Sequence, residues 1–390
     1  MTQPAAEARH GRSPRFRRRL YWLPFGVLAC ANLTAALAVS RSLPPLLAVV
    51  LGALLYFATV PRFIAQMRDR PRPRWITRFV DQPLFAHFGA SVVSLLLAPL
   101  CFAVALFELA FSHASLFELW RSALAGAYVV GLGLSIWAIW VERHFVRVRR
   151  LDVHIAALPA EFDGYRITQL SDLHVGSFDP KRRALQWAAL SNELEPDLAT
   201  VTGDLVTSGT GFYADVAEAI AALRAKDGVF VAMGNHDQSN NDELSRLIAE
   251  LGPTVLRNDA RVIRRGSAAL VIAGLDGRIA SPAQTARVVQ GCATGAPLIL
   301  LSHYPWTFEA AAGAGADLVL TGHTHGGQLG VPFFGRRFNL ARLTRQLSRG
   351  LYYSGKAAMY VNAGLGTTGP PMRLAVPPEI ALITLRRGGG

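Results

Sequence analysis

Two histidines one residue apart occupy a glycine-rich stretch, TGHTHGGQ, at residues 321–328. His323 and His325 follow an apolar run, ADLVL at 316–320, so they lie where a strand gives way to a loop that can turn both rings toward one point. Imidazole is the commonest metal ligand, although a polar turn with two incidental histidines has the same sequence. The polar residues elsewhere in the chain decide between a metal site and a turn.

Four more apolar stretches in the second half of the chain end in residues that can bind metal. They are YRITQLSD (165–172), DLATVTGD (197–204), GVFVAMGN (228–235) and PLILLSH (297–303). Helical patterns at 180–195 and 242–251 lie between them, and strands that alternate with helices predict a mixed α/β fold with parallel strands. Ligands gather at the carboxyl ends of such strands, so these residues are expected to converge.

The residue types at the strand ends indicate two metal ions. Imidazole nitrogens combined with carboxylate or amide oxygens, and no thiolate, suit zinc, manganese or iron better than a closed structural zinc site. There are more candidate ligands than one ion normally takes, whereas two ions that share a bridging carboxylate would use them all. The seven candidates are Asp172, His174, Asp204, Asn235, His303, His323 and His325.

The order of these motifs resembles that of the calcineurin-like binuclear metallophosphoesterases. Asp-x-His, Gly-Asp, Gly-Asn-His-Asp, a lone His and Gly-His-x-His follow one another between residues 172 and 325. The resemblance covers roughly residues 163–386, and GHTHGGQ together with GLGTTGPPMRLAVPPEIALITL (364–385) is similar to the membrane-associated branch of the family. The resemblance implies an αββα sandwich domain that hydrolyses phosphoric esters with two divalent ions, either Mn, Zn or Fe.

The resemblance also implies a role for each candidate residue. One ion is expected on Asp172, His174 and His325, the other on Asn235, His303 and His323, with Asp204 as the bridge. His236 follows the ligand Asn235 and is not itself a ligand in the family, so it is expected to act in catalysis on the leaving-group oxygen. Asp276 and Arg278 in GLDGR could reach the phosphate, but a surface hairpin is favoured.

Four long apolar stretches precede this domain, at about 21–40, 43–60, 88–111 and 123–141. Each is near the ~20 residues that a helix needs to cross a bilayer. Hydrophobic residues make up 51% of the chain, so its net charge of +13 favours a membrane partner over nucleic acid. We predict a membrane region with four transmembrane helices at 1–150 and a metallophosphoesterase domain at 151–390.

The arginines predict the orientation of these helices. Residues 1–20 and 61–79 carry six arginines each, whereas each connection on the opposite side carries one. The positive-inside rule therefore places the catalytic domain on the cytoplasmic side of an inner membrane, in a multi-pass protein. In the alternative interpretation, RRRLYW is a twin-arginine export signal followed by a cleavable first span.

A second basic segment, FGRRFNLARLTRQL at 334–347, interleaves arginines with apolar residues. It is consistent with an interfacial segment and equally with a solvated basic face. Its arginines are Arg336, Arg337, Arg342 and Arg345.

The expected function is hydrolysis of a phosphodiester or pyrophosphate bond in a lipid-linked substrate. Membrane relatives that act on a nucleotide-diphospho-lipid make such a molecule the candidate by analogy. The expected partners are membrane lipids and a phosphorylated or lipid-linked small molecule, and the oligomeric state stays open. The alternatives are a tethered phosphatase for soluble nucleotides or phosphoproteins and, against the complete ligand set, a non-enzymatic scaffold with a relic site.

Overall fold

The computed structural model of the chain describes residues 26, 29–38, 40, 43–68, 71–278, 281–332, 338–339, 341–342 and 347–388. Contacts divide the chain into two compact units. Unit 1 comprises Met1–Arg62 and Pro83–Ile136, and unit 2 comprises Phe63–Gln82 and Trp137–Gly390. The domain boundary between residues 150 and 151 stays a sequence-based prediction.

Long apolar helices build the described part of the chain before residue 141. Large side chains on them are turned outward, for example Leu96, which is 73% exposed, and Phe107, which is 71% exposed. Outward-facing apolar surface of this extent suits hydrocarbon as the solvent. The helices are α1 (Ala29–Ala38), α2 (Pro45–Arg68), α3 (Arg74–Ile76), α4 (Gln82–Glu108) and α5 (Leu116–Trp140), with a π-helical turn at Thr77–Asp81 between α3 and α4.

Three of the four predicted membrane spans are confirmed as helices long and apolar enough to cross a membrane. These helical stretches are Leu46–Gln66, Arg74–Phe111 and Leu116–His144. The first predicted span, at about 21–40, falls partly outside the described residues, and its described part, α1, is shorter than a span requires. The count of four spans therefore stays a prediction.

Most of the basic segment at 334–347 also lies outside the described residues. This applies to Arg336, Arg337 and Arg345. Arg342 and Phe338 are described and exposed. The choice between an interfacial segment and a solvated face stays open.

Two six-stranded sheets form the core of unit 2. The strands are β1 (Arg147–Ile155), β2 (Arg166–Leu170), β3 (Leu198–Thr202), β4 (Val229–Ala232), β5 (Thr254–Val255), β6 (Asp259–Arg265), β7 (Ala268–Gly274), β8 (Leu298–Leu301), β9 (Leu318–Thr321), β10 (Gly350–Ser354), β11 (Ala357–Val361) and β12 (Glu379–Arg387). Their orders are β1-β12-β2-β3-β4-β5 and β10-β11-β9-β8-β7-β6. Strands β2 to β5 run parallel, as do β7, β8, β9 and β11, so the alternating pattern predicted the parallel core.

Helices cover the outer faces of both sheets. They are α6 (Lys181–Asn192), α7 (Tyr213–Ala221), α8 (Asn241–Glu250), α9 (Pro282–Cys292) and α10 (Phe308–Gly313). Leu170 and Val201 of the first sheet share a core cluster with α6, α7 and α8. Val271 and Leu300 of the second sheet pack with α9 and α10.

The inner faces of the two sheets pack on each other. Ile167 and Leu198 from the first sheet lie in one buried cluster with Ile299 and Leu318 from the second. Strands β3, β8 and β9 are buried along their whole length, which explains their nearly continuous apolar sequences. The result is the predicted four-layer αββα arrangement.

The basic connection after α5 is built into unit 2. Strand β1 pairs in parallel with β12 from Arg147 to Ile155. Just before it, the fully buried Arg143 donates to Asp179 Oδ1 at 2.8 Å and to Phe178 O at 2.9 Å. Arg183 donates to the same carboxylate oxygen at 2.6 Å. A segment with the composition of a linker therefore contributes a strand and a buried ion-pair network.

Candidate metal centre

The predicted site residues follow strands of both sheets, and backbone hydrogen bonds join the loops that carry them. Asp172 N–H donates to Gly203 O at 2.9 Å, and His174 N–H donates to Asp204 O at 3.0 Å. Within the second sheet, Gly322 N–H donates to His303 O at 3.1 Å, and between the two sheets His323 N–H donates to Asp172 Oδ1 at 3.0 Å. The carboxyl ends of β2, β3, β8 and β9 thus meet at one edge of the sandwich, as the strand-end argument predicted.

Six of the seven predicted ligands form two groups that share one carboxylate. The first cluster consists of Asp172, His174, Asp204 and His325, and the second cluster of Asp204, His303 and His323. Within each group one ligand atom per residue lies within 4.8 Å of the others. Asp204 belongs to both, which is the arrangement that a bridging ligand requires.

Short distances show how tightly the potential ligand atoms converge. In the first cluster, His174 Nε2 lies 3.0 Å from His325 Nε2 and 3.5 Å from Asp204 Oδ2. In the second, His303 Nε2 lies 3.2 Å from Asp204 Oδ2 and 3.2 Å from His323 Nδ1. Except for His323, which is half-buried, all of these residues are buried.

The backbone is left-handed at five of the predicted ligands. The φ angles are 51° at Asp172, 44° at His174, 52° at Asp204, 68° at His323 and 50° at His325. Residues with a Cβ lose about 1–2 kcal/mol each in this conformation, and they persist where the surrounding structure enforces it. The strand-end loops therefore hold strain at the residues predicted to bind metal.

Two glycines next to predicted ligands are required by close packing. A Cβ at Gly234 would lie under 3.0 Å from the Asp204 carboxylate, and a Cβ at Gly322 would lie as close to Ser171 Oγ and the Asp172 carboxylate. Real Cβ atoms essentially never approach so closely. These glycines are needed because the ligand carboxylates of neighbouring loops occupy the space of a side chain.

Opposite electrostatic environments distinguish the two clusters. Burial lowers the pKa of His174 to about 3, and burial together with His174 holds the pKa of His325 well below its usual value. Burial alone would lower the pKa of His303, but the Asp204 carboxylate raises it to about 9. Burial raises the pKa of Asp172 to about 6, whereas the surrounding imidazoles hold that of Asp204 well below its usual range, against the effect of burial.

The donor set fits a pair of divalent cations. In the first cluster two neutral imidazoles direct Nε2 atoms at each other across 3.0 Å, beside the Asp172 and Asp204 carboxylates. A neutral imidazole has one N–H. The two imidazoles and two carboxylates therefore offer more lone pairs than they have protons for hydrogen bonds between them. A divalent cation would satisfy these buried acceptors together. Nitrogen and oxygen donors without sulfur suit Mn, Zn or Fe.

Three neighbouring residues follow β4. Asn235, the seventh predicted ligand, directly follows Gly234 and is exposed. His236 Nδ1 bonds Thr207 O, which turns Nε2 toward Asp204 Oδ2 at 3.9 Å. The fully buried Asp237 accepts from the backbone N–H groups of Gly234 at 2.7 Å and Leu205 at 2.8 Å. The Asp237 carboxylate therefore joins the loops after β3 and β4, while Thr207 fixes the His236 ring.

Several residues around the clusters carry no sequence signal. Trp306 and Tyr304 pack against His323, with ring centroids 5.0 Å from the imidazole in both cases. The fully buried Arg373 donates to Gly366 O at 2.7 Å, and Gly366 N–H donates to Asp172 O at 2.7 Å. Their roles depend on contacts between distant parts of the chain, which no local spacing records.

The two weaker candidates lie in the loop after β7. Asp276 pairs with Arg257 at 3.3 Å, and Arg278 is exposed. Gly277, between them, accepts a hydrogen bond from Tyr304 Oη at 3.1 Å. The loop thereby contacts Tyr304, which packs against His323 of the second cluster.

A four-layer sandwich with two ligand groups that share an aspartate defines a binuclear metallohydrolase. The calcineurin-like phosphoesterase family matches residues 165–327, a range that contains all seven predicted ligands and His236. This match, together with two relatives that are 31% identical and of which the chain covers 95% and 82%, shows that the chain belongs to the calcineurin-like phosphoesterase family.

Three relatives illustrate the similarity. An uncharacterized metallophosphoesterase of Aquifex aeolicus is 31% identical over 260 residues, which are 64% of this chain and 95% of that protein. Phosphodiesterase YaeI of Escherichia coli is 31% identical over 231 residues, 57% of this chain and 82% of that protein. A transmembrane protein with a metallophosphoesterase domain from Danio rerio is 30% identical over 276 residues, 67% of this chain; the chain spans 62% of its length.

Proposed function

We propose that the protein is a membrane-anchored, metal-dependent phosphoesterase that hydrolyses a phosphodiester or pyrophosphate bond. The observation that carries this proposal is the sharing of Asp204 between two ligand clusters. A carboxylate has two oxygens and can bridge ions about 3.5–4 Å apart, the separation that two-metal hydrolysis uses. In this proposal Asp172, His174 and His325 hold one ion, Asn235, His303 and His323 hold the other, and Asp204 bridges them.

The proposed hydrolysis uses two metal ions and His236, which lies beside their shared ligand. When bound, such ions supply Lewis acidity and lower the pKa of bound water toward neutrality. His236 is the residue we assign to the leaving group, because Thr207 O holds its Nδ1 and its Nε2 faces the shared carboxylate at 3.9 Å. Its side chain is 31% exposed, which leaves Nε2 accessible; because Nδ1–H is donated to Thr207 O, the proton given to a substrate oxygen would be the Nε2 proton of the cationic ring.

The proposed substrate is a lipid-linked phosphate. The apolar helices that precede the catalytic unit support this choice. Three described helical stretches are long and apolar enough to span a membrane. The next segment, Glu142–Ile155, is short and integrated with the catalytic unit through Arg143 and β1. A catalytic unit that follows membrane helices after so short a connection stays within reach of lipid headgroups, so a lipid-linked diphosphate such as a nucleotide-diphospho-lipid is the substrate to test first.

The proposed location is an inner membrane with the catalytic unit on the cytoplasmic side. The arginine excess in residues 1–20 and 61–79 supports this orientation. A fluorescent protein inserted at the carboxyl terminus should be fluorescent, and alkaline phosphatase at the same point should be inactive. High alkaline phosphatase activity would instead favour the export interpretation.

Activity measurements on the full-length protein test the reaction. Protein in nanodiscs, loaded with Mn²⁺, should hydrolyse an aryl phosphodiester, and removal of the ions by a chelator should abolish that activity. Asp204→Asn is the decisive variant because it keeps the shape of the bridge and removes its charge. The exposed Asp152→Asn serves as the matched control. Unchanged activity and metal content in Asp204→Asn would contradict the proposed bridge.

The substrate class is tested with the same nanodiscs. A lipid-linked diphosphate in the bilayer should be hydrolysed with a higher kcat/KM than a short-chain soluble analogue with the same headgroup. Faster hydrolysis of soluble nucleotides or phosphopeptides than of any lipid would instead identify a tethered phosphatase for soluble substrates.

A further inference from the structure

An aromatic pair lies at the outer side of the second cluster. The rings of Trp306 and Tyr304 stack with centroids 4.5 Å apart and an interplanar angle of 27°. Trp306 also meets His323 edge-on, at 5.0 Å and 87°. The indole thus packs directly against a residue of the second cluster, and its side chain is only half-buried. Part of its surface is accessible at the rim of the centre.

The indole is held in a fixed orientation. Tyr304 beneath it is buried, and its hydroxyl donates to Gly277 O at 3.1 Å. Trp306 itself lies in a 3-10 turn, Pro305–Thr307, that begins at a proline, and Thr307 Oγ1 in this turn donates to Tyr304 O at 2.7 Å. A large aromatic side chain with its conformational entropy already lost is suited to binding, because little further ordering is required.

We propose that Trp306 is the aromatic wall of a subsite that binds a nucleobase, or an equally planar group, on the organic side of the phosphate ester. This inference rests on the proposed phosphoesterase function and names the substrate class for that site. A base that stacks on an aromatic side chain binds roughly 5- to 150-fold more tightly than the same ligand without the stack, whereas an acyl chain gains only what any apolar surface provides. An indole beside the metal centre therefore selects planar groups.

The position of Trp306 next to His323 supports a contact between the indole and the substrate. A phosphate held at the two clusters would place its ester substituent within a few ångströms of the rim, and Trp306 adjoins the second cluster there. The aromatic pair adds no charge to this rim, so its contribution is to the organic part of the substrate and not to the phosphate. The wall and the metal ligands would thus recognise different halves of one molecule.

The same geometry allows a merely structural role, in which the indole positions His323. The two roles differ in what they change. A positioning role alters metal content and the affinity for every phosphate equally, whereas a stacking wall alters only the preference for planar substituents. Binding of matched products separates the two roles and does not depend on turnover.

The experiment measures binding of AMP, ribose 5-phosphate and phenyl phosphate to the full-length, Mn²⁺-loaded protein in nanodiscs by calorimetry. AMP and ribose 5-phosphate differ only in the base. Wild type should bind AMP roughly 5- to 150-fold more tightly than ribose 5-phosphate. Trp306→Ala should reduce that ratio to about 2 or less, with unchanged metal content and ribose 5-phosphate affinity, and Trp306→Phe should retain part of it. Tyr353→Ala removes an aromatic residue that is 61% exposed on β10 and should keep the wild-type ratio.

Each outcome decides the inference. Equal affinities of wild type for AMP and ribose 5-phosphate, or an equal loss for all ligands with loss of metal in Trp306→Ala, would overturn the aromatic wall. A preference for phenyl phosphate over AMP would keep the wall but replace the nucleobase by a smaller aryl group. Because binding is measured without catalysis, a protein that binds AMP through Trp306 but cleaves no ester would contradict the proposed function and leave the subsite intact.

Discussion

Between pH 6.5 and 8.5 the second cluster should bind metal in a pH-dependent way, and the first cluster should not. Asp204 raises the pKa of His303 to about 9, against the effect of burial, so at neutral pH the metal-free His303 is protonated and paired with Asp204. A metal ion binds only the neutral ring and must displace this proton. The proton-bound form dominates below about pH 9, so affinity at the second cluster falls as pH falls.

The size of the effect follows from the pKa. Displacement of one proton from a group with a pKa of about 9 weakens binding at pH 7 by roughly 100-fold. Affinity should therefore change about tenfold per pH unit between 6.5 and 8.5. The histidines of the first cluster, His174 and His325, have lowered pKa values and are already neutral in this range. Only below about pH 6, where Asp172 takes up a proton, should the first cluster weaken.

Calorimetric titration of the full-length protein with Mn²⁺ measures both quantities. Titrations in buffers with different ionisation enthalpies give the number of protons released for each ion. One ion should bind with release of about one proton and a tenfold affinity change per pH unit, and the other with neither. His154→Gln, a change at an exposed histidine of β1, should leave both numbers unchanged.

A flat affinity for both ions between pH 6.5 and 8.5 would refute this reasoning. It would show that the Asp204–His303 ion pair does not hold a proton in the metal-free protein. Equal proton release at both sites would instead show that the first cluster is not kept neutral by burial.

Three further changes have defined expectations. His236→Ala should retain both ions and lose about 10²–10⁴ in kcat for an aryl diester, because it removes the proposed proton donor but no ligand; loss of metal from this variant would make His236 a ligand. Gly234→Ala should lose metal, measured by elemental analysis, because the new Cβ collides with Asp204, whereas Gly291→Ala, where nothing lies within 4 Å of the added Cβ, should not. Asp179→Ala leaves two buried arginines without their carboxylate and should cost about 3–5 kcal/mol in a denaturant titration; a loss below about 1 kcal/mol would mean that water reaches these arginines.

Much of the catalytic unit could be predicted because its signals are local. Each of the five apolar stretches contains the strand that it predicted, followed by a polar tip, because a fully buried parallel strand must be apolar and its end must leave the core. Convergence of the tips follows from the parallel arrangement. This is why the six clustered ligands could be named from the order of their motifs.

The remaining features depend on pairings across the chain. Arg143 and the strand after it have the composition of a basic linker, yet β12, more than 200 residues later, turns that segment into part of a sheet. The partner of His236 is a backbone carbonyl, Thr207 O, and any residue type could supply it. Trp306 follows the predicted ligand His303 by three residues, but its packing against His323 is a contact with another strand end that the sequence does not record. Contacts of this kind leave no spacing to detect.

The left-handed backbone at five predicted ligands has an evolutionary consequence. At about 1–2 kcal/mol each, these residues cost roughly 5–10 kcal/mol, comparable to the net stability of a typical domain. Glycine adopts the same angles without this backbone penalty, so in a lineage that no longer used the chemistry nothing would maintain the strained aspartates and histidines. Drift under mutation would then erase the ligands one after another. A chain that still has aspartate or histidine at all five resists that drift, which weighs against a relic site in a membrane scaffold.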